Sequence, residues 1–245
     1  MNGERTEMMN PPQGRMSRAF TRLFMKPTRI MAAETLAGGM RLLTLQSPAF
    51  REARWVPGQK VQIAMGSAFV ARTYTPIDWD VARGRTRIVT YSHGGGPGSA
   101  WAERAEPGEE CDVLGPRASL NLGRIEGGRV LLGDETSVGV ACALGHGTGD
   151  GMHCLLEVHA VAAVRDVLAR LGRDDVELFG RQAGDAHLDE IERRLPALAA
   201  AGAIFILTGR ASTIQRQRRA LKALGVTSGR IMAKAYWAPG KTGLD

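Results

Sequence analysis

Near residue 123 the spacing of apolar residues changes character, and no single layer of structure accommodates both patterns. Over residues 28–123 the segments MRLLTLQSP, KVQIAMG, FVARTYTPID, TRIVTYSHG and ECDVLGP are short and punctuated by Gly and Pro, which predicts a small antiparallel barrel. SAWAERA predicts one short helix inside it. From residue 124 onward, RVLLGDE, HCLLEVHA, VELFGRQ, AIFILTGR and RIMAKAYWAPG read as strands. Between them TSVGVACALGH, AAVRDVLARLG, LDEIERRLPALAAAG and STIQRQRRALKALG have helical period and length. Alternation of this kind predicts an open parallel sheet with helices on its faces. The expected organisation is therefore a basic N-terminal tail over 1–27, a β-barrel over 28–123 and an α/β domain over 124–245, joined by GRIEGG. A ligand crevice is expected between the two domains.

Charge narrows the functional classes. The net charge is +7, and residues 1–29 alone carry six basic and two acidic side chains, so the remaining chain is nearly balanced. That distribution argues against a nucleic-acid groove and for a small anionic ligand. Three cysteines, Cys111, Cys142 and Cys154, form no C-x-x-C pair and read as small buried apolar residues of a reducing compartment. No segment has the length of a membrane span or the apolar core of a secretory signal, and a cytoplasmic location is expected.

Four clusters can carry chemistry. In FVARTYTPID, Arg72 and Tyr74 share one strand face, so a guanidinium and a phenol ring are presented together, with Thr75 following. SHGGGPGSAWAERAEPG places Gly96 and Pro97 ahead of a helix start, with Ser99 as the expected N-cap, His93 at the border and Trp101 one turn on. Such a start is suited to phosphate, because unpaired N–H groups and the helix dipole face the ligand. Together these segments suit a planar anion. GDETSVG, with Asp134, Thr136 and Ser137, ends a parallel strand where a second nucleotide would lie, and Asp134 with Glu135 is either an acidic pair for proton transfer or a helix cap. Gly209 and Arg210 of FILTGRAST, and Arg181 of FGRQAG, end later strands on the same rim, Gly209 permitting close backbone approach by a ligand and the arginines as candidate phosphate partners. The final segment interleaves Arg230, Lys234 and Lys241 with Tyr236 and Trp237, with Arg230, Lys234 and Tyr236 expected on one strand face, a surface for a flat anionic substrate or an edge strand blunted by charge. The histidines share no metal-ligand spacing, and no nucleophile triad is present.

The order ARTYTPIDWD, SHGGGPGSAWAERAEPGEECDVLGP, LLGDETS and AYWAPG resembles the siderophore-interacting protein family, cytoplasmic flavoprotein ferric-siderophore reductases related to ferredoxin-NADP reductases. The resemblance runs over about residues 28–240. It implies FAD in the barrel, held by Arg72, Tyr74 and Thr75, with His93, Gly96, Pro97, Ser99 and Trp101 around its phosphates. It also implies NADPH or NADH at the GDETS turn, with Thr136 near the ring or ribose, and an anionic ferric siderophore at the basic C-terminal segment. Two positions depart from the family pattern: Pro76, Ile77 and Asp78 follow R-x-Y-T where a further arginine is common, and Arg210 stands where an acidic residue is common. The implied reaction is two-electron reduction of FAD by the nucleotide and one-electron transfer to ferric siderophore, with no protein nucleophile or base. The alternatives are a flavin reductase served by a ferredoxin, and a siderophore- or flavin-binding module without turnover.

Overall fold

A computed structural model describes residues 24–67, 70–92, 94, 96–120, 127–145 and 152–241. The first half forms seven strands, β1 (Lys26–Thr35), β2 (Met40–Gln46), β3 (Lys60–Ser67), β4 (Val70–Tyr74), β5 (Pro76–Asp80), β6 (Arg85–Tyr91) and β7 (Glu110–Arg117). They make one antiparallel sheet in the order β4-β3-β7-β1-β2-β6-β5. Helix α1 (Pro97–Arg104) lies between β6 and β7 in the chain. Strand β1 has no counterpart in the sequence reading: only Thr28 and Ile30 of its ten residues are buried, too few to set up an alternation.

The sequence reads FVARTYTPID as one strand. It is two strands: β4 pairs with β3, whereas β5 pairs with β6. Pro76, which has no N–H to donate, begins the second. β4 and β5 are the opposite edges of the sheet and only Thr75 separates them, so the sheet must curl until its edges approach, which gives the barrel-like shape. Ile30, Leu43, Leu45, Phe50, Val61, Ile63, Ile88 and Val113 fill its interior.

The second half alternates as expected: β8 (Arg129–Asp134), a 3-10 turn (Glu135–Ser137), α2 (Val138–Gly145), β9 (Met152–Val158), α3 (Val161–Arg170), β10 (Val176–Gly180), α4 (Ala186–Glu192), α5 (Leu195–Ala200), β11 (Ile204–Arg210), α6 (Ala211–Ala223) and β12 (Ile231–Trp237). All five strands are parallel, in the order β10-β9-β8-β11-β12. The single helix expected over 188–202 is two, α4 and α5, because Pro196 has no N–H to donate to the carbonyl of Glu192 four positions back.

Strand alternation sorts the core. Val130, Leu132, Phe205 and Leu207 face α4, α5 and α6 through Ile191, Leu195, Ile214 and Leu221. Leu131 and Ile206 face the other way, into a cluster with Val138, Val140 and Cys142 of α2 and with Leu36, Met40, Leu42 and Ile77 from the barrel half. The halves thus share one apolar core. The expected boundary at 123/124 lies outside the described residues, as do residues 1–23 of the tail and residues 146–151. Among the described residues no helix is long and apolar enough to cross a membrane.

Candidate functional site

Arg72 and Tyr74 lie two residues apart on β4, opposite Ile63 and Val61 of β3, and their side chains meet the first turn of α1. A Cβ on Gly98 would stand 2.9 Å from Arg72 Cγ and 3.6 Å from Tyr74 Oη, so the absence of a side chain there is what lets strand and helix touch. The ring of Tyr74 tilts against Trp101, centroids 6.0 Å apart. Burial pushes the Tyr74 phenol well above its ordinary value, with the Arg72 charge opposing only in part, so Tyr74 is a neutral hydrogen-bond donor at any physiological pH. Arg72 Nη1 donates to the Ala71 carbonyl at 2.8 Å, which turns the guanidinium along the sheet edge.

Helix α1 starts earlier than the sequence suggested. Its N-cap is Gly96 and Pro97 opens the first turn, while Ser99, expected as the cap, is buried inside that turn. Around Gly94 and Gly96 an added Cβ would meet nothing within 4 Å, so backbone and open space lie together where a phosphate could approach. His93 lies outside the described residues. Thr75 serves the seam between the halves. Its carbonyl oxygen would be 2.9 Å from a Cβ on Gly139 of α2, and its side chain hydrogen-bonds with Tyr236 of β12.

A second cluster occupies the carboxyl rim of the parallel sheet. Asp134 ends β8 fully buried, and its carboxylate accepts from Thr136 N (2.9 Å), Thr136 Oγ1, Arg210 N (2.9 Å) and Trp237 Nε1 (2.7 Å). Burial raises its pKa, and the donors from Thr136 and Trp237 hold the shift back. Of the two expected roles the geometry is that of a cap: Asp134 and Ser137 form a reciprocal capping box over the 3-10 turn. Ser137 in turn accepts from Thr208 Oγ1 at 2.7 Å. Gly209, with φ of +100°, passes directly over the Asp134 carboxylate, where any Cβ would collide with both oxygens. Its freedom therefore admits a carboxylate of the protein itself.

The two rim arginines turn toward buried acids. Arg181 Nη2 is 3.2 Å from Glu135 and 3.7 Å from Asp134, its Nε is 3.5 Å from Glu157, and its guanidinium lies 5.7 Å from the centre of the Trp237 ring. Arg210 donates from Nε to Thr213 Oγ1 (2.8 Å) and from Nη2 to Asp185 (3.0 Å). Glu157, equally buried, accepts from Thr213 Oγ1 and from His187 Nε2, both at 2.7 Å. Because His187 Nδ1 accepts from Gln182 N, the ring proton is on Nε2 and the histidine is neutral. Sequence reasoning missed Glu157, Asp185, His187 and Thr213. The signal for Glu157 was available: an acid within the apolar strand HCLLEVHA needs an internal partner.

The C-terminal residues separate. Trp237 joins the rim through Asp134 and Arg181. Lys234 lies opposite Thr208 on β12 and shares strand parity with Tyr236, as expected. Arg230 precedes the strand, in a 3-10 turn at the opposite end of the sheet, where its guanidinium binds the carbonyls of Ala199 and Ala203 at 2.8–3.1 Å. It does not share that face, because β12 begins only at Ile231. Lys241 is exposed beyond the strand.

Residues 13–120 match the family described as Siderophore-interacting FAD-binding domain. The NADPH-dependent ferric-chelate reductase of Escherichia coli is 30% identical over 175 residues, which cover 68% of this chain and 66% of that protein. The chain belongs to the siderophore-interacting family. Among solved structures, a siderophore utilization protein from T. fusca aligns with TM-score 0.72 at 22% identity, covering 90% of this chain and 95% of that one. The siderophore-interacting protein SipS of Aeromonas hydrophila gives TM-score 0.72 at 21% identity, over 89% and 94%. The fold is also that of the ferredoxin-NADP+ reductase of Plasmodium falciparum, with TM-score 0.68 at 10% identity, over 86% and 96%. The barrel half of this family is an FAD-binding domain, and the edge just described fits that cofactor: a guanidinium and a neutral phenol side by side, next to a glycine-bordered helix start.

Proposed function

We propose that the protein reduces ferric siderophores with electrons that enter from NADPH or NADH, and so releases iron from chelators that hold the ferrous ion less well. The meeting of Arg72, Tyr74 and the start of α1 at Gly98 carries this reading, because it assembles on one edge the groups that a flat, anionic dinucleotide requires. Bound FAD supplies the conversion of a two-electron donor into two one-electron deliveries, so one nucleotide reduces two ferric ions.

Each residue then has a defined task. Arg72 neutralises phosphate charge, Gly96 and Ser99 bring backbone N–H groups at the helix start to the same anion, and Pro97, which has no N–H, fixes the first turn. Tyr74 remains protonated and donates a hydrogen bond without adding charge. Trp101 packs on Tyr74 and fixes its ring plane. Thr75 orients the ring edge while its bond to Tyr236 sets the distance between the halves. At the rim, Asp134, Thr136, Ser137 and Gly209 give the nucleotide turn its shape, with Arg181 and Arg210 as the cations beside it. Lys234, Trp237 and Lys241 offer positive charge and an aromatic plane to an anionic chelate. No side chain here has to move a proton during electron transfer.

An absorption spectrum of the purified protein tests the reading. The expected result is the flavin bands near stoichiometric occupancy, bleached by one equivalent of reduced nucleotide without air and restored by two equivalents of a ferric siderophore, with ferrous ion trapped by a colorimetric chelator. A preparation that binds no added FAD would refute it.

A further inference from the structure

Asp185 is the single non-glycine residue with positive φ among the described residues, at +59°. It occupies the N-cap position of α4, yet its side chain caps none of the helix N–H groups. An aspartate at this position ordinarily has extended backbone and accepts from the second or third helical N–H. The left-handed conformation is instead disfavoured for a residue with a side chain. What the conformation secures is one contact: the carboxylate accepts from Arg210 Nη2 at 3.0 Å.

The other partners of Arg210 are interior. Thr213 Oγ1 takes its Nε, and the buried carboxylate of Glu157 stands 3.6 Å from Nη2. Asp185 is the outward partner, 46% exposed against 18% for Arg210. The guanidinium is thus oriented from inside and covered from outside by an acid that can be displaced. A phosphate monoester offers the same acceptor geometry with greater charge.

We propose that Asp185 is a specificity-determining residue for the electron donor: it holds the phosphate-accepting side of Arg210, which a nicotinamide nucleotide with an extra phosphate must take from it and one without need not. This rests on the reading above, that a reduced nicotinamide nucleotide binds this rim. The phosphorylated donor meets both competition for Arg210 and repulsion from the carboxylate, whereas the unphosphorylated donor meets neither.

The test uses Asp185→Asn, which keeps the size of the side chain and tolerates the left-handed backbone. In the FAD-loaded protein the ratio of kcat/KM for NADPH to that for NADH should rise about two- to fivefold, the range expected when an exposed charge pair is released. A general loss of folding lowers both values and leaves the ratio unmoved. The gain should vanish when Arg210→Gln is combined with Asp185→Asn. Calorimetric titration with 2′,5′-ADP and with 5′-AMP carries the same expectation without electron transfer: Asp185→Asn tightens the first and leaves the second unchanged. Failure of both nucleotides to reduce the flavin, with the calorimetric difference intact, sinks the reaction and keeps the role of Asp185. A ratio unchanged in both measurements, or a gain that survives loss of Arg210, overturns the role and keeps the reaction.

Discussion

Gly98 has no side chain, and the space beside it is taken by the aliphatic part of Arg72 and the hydroxyl of Tyr74. The consequence is measurable, because Gly98→Val drives a branched side chain into both groups proposed to hold the flavin while leaving the barrel interior untouched. Retention of FAD through desalting should fall at least tenfold, with the thermal midpoint of the apoprotein within a few degrees of the parent. Equal loss in both would show that Gly98 serves packing alone. Gly209 teaches the complementary lesson. Sequence reasoning saw it as room for a ligand, and the room is filled by Asp134. A glycine in a strand-turn-helix pattern reports close approach of something, and one sequence alone does not say what. The pairing of Arg72 with Tyr74 on one strand was legible because strand alternation fixes which side chains project together, whereas Thr75 lies between two strands and follows no alternation. Arg230 was misplaced on a strand face because a parity count needs to know where the strand begins.

Between elements, Arg173 ties the end of α3 to α2 and β9. It follows α3, donates to Cys154 of β9 at 3.4 Å, and lies against Gly145, the last residue of α2, where a Cβ would collide with the guanidinium. Its charge is almost wholly buried and is balanced by Asp175, which accepts two of its N–H groups at 2.7 and 2.8 Å. Those bonds hold the Asp175 carboxyl below its usual range. A depressed folded pKa contributes stability that is fully present above the ordinary aspartate value of 3.8 and is lost as pH falls through the lowered one. Asp175→Asn should therefore cost roughly 1–3 kcal/mol at neutral pH, a buried-pair loss discounted because Asp175 is half exposed, and the deficit should shrink toward pH 3. Urea midpoints from pH 7 to pH 3 measure it; a deficit constant with pH would mean that charge plays no part. The same burial pushes the thiols of Cys142 and Cys154 up to about 12 and about 11, and that of Cys111 to about 12, which keeps them unreactive. Elements were the most legible level of the fold, since ten runs of β-branched and apolar residues cover eleven of the twelve described strands, β4 and β5 being read as one. The twelfth, β1, buries too little to leave a pattern.

At the scale of the molecule, the change of period near residue 123 foretold two architectures, but not that they would share a core. Leu36, Met40, Leu42 and Ile77 pack with Val138, Val140 and Leu131, contacts that join residues some 60 to 100 positions apart and have no local signature. The pairing within the rim was opaque for the same reason: Asp134, Glu157 and Trp237 stand near the ends of three strands, and Asp185 in the turn that follows β10. A shared core predicts one cooperative transition for both halves. Gly139→Val, which forces a side chain onto the Thr75 carbonyl 2.9 Å away, should part the halves so that calorimetry resolves two transitions where the parent shows one. A single transition that merely moves to lower temperature would mean that the halves melt together without this contact.

Thr75 is both the lone link between the two free margins of the barrel sheet and the landing point of Tyr236. Whatever settles on the flavin side of that residue therefore alters the freedom of the final strand on the other. The protein's grip on its prosthetic group and the order of its C-terminus are one thermodynamic quantity seen from two ends, so amide exchange along residues 231–237 should slow when the flavin is added and quicken when it is stripped.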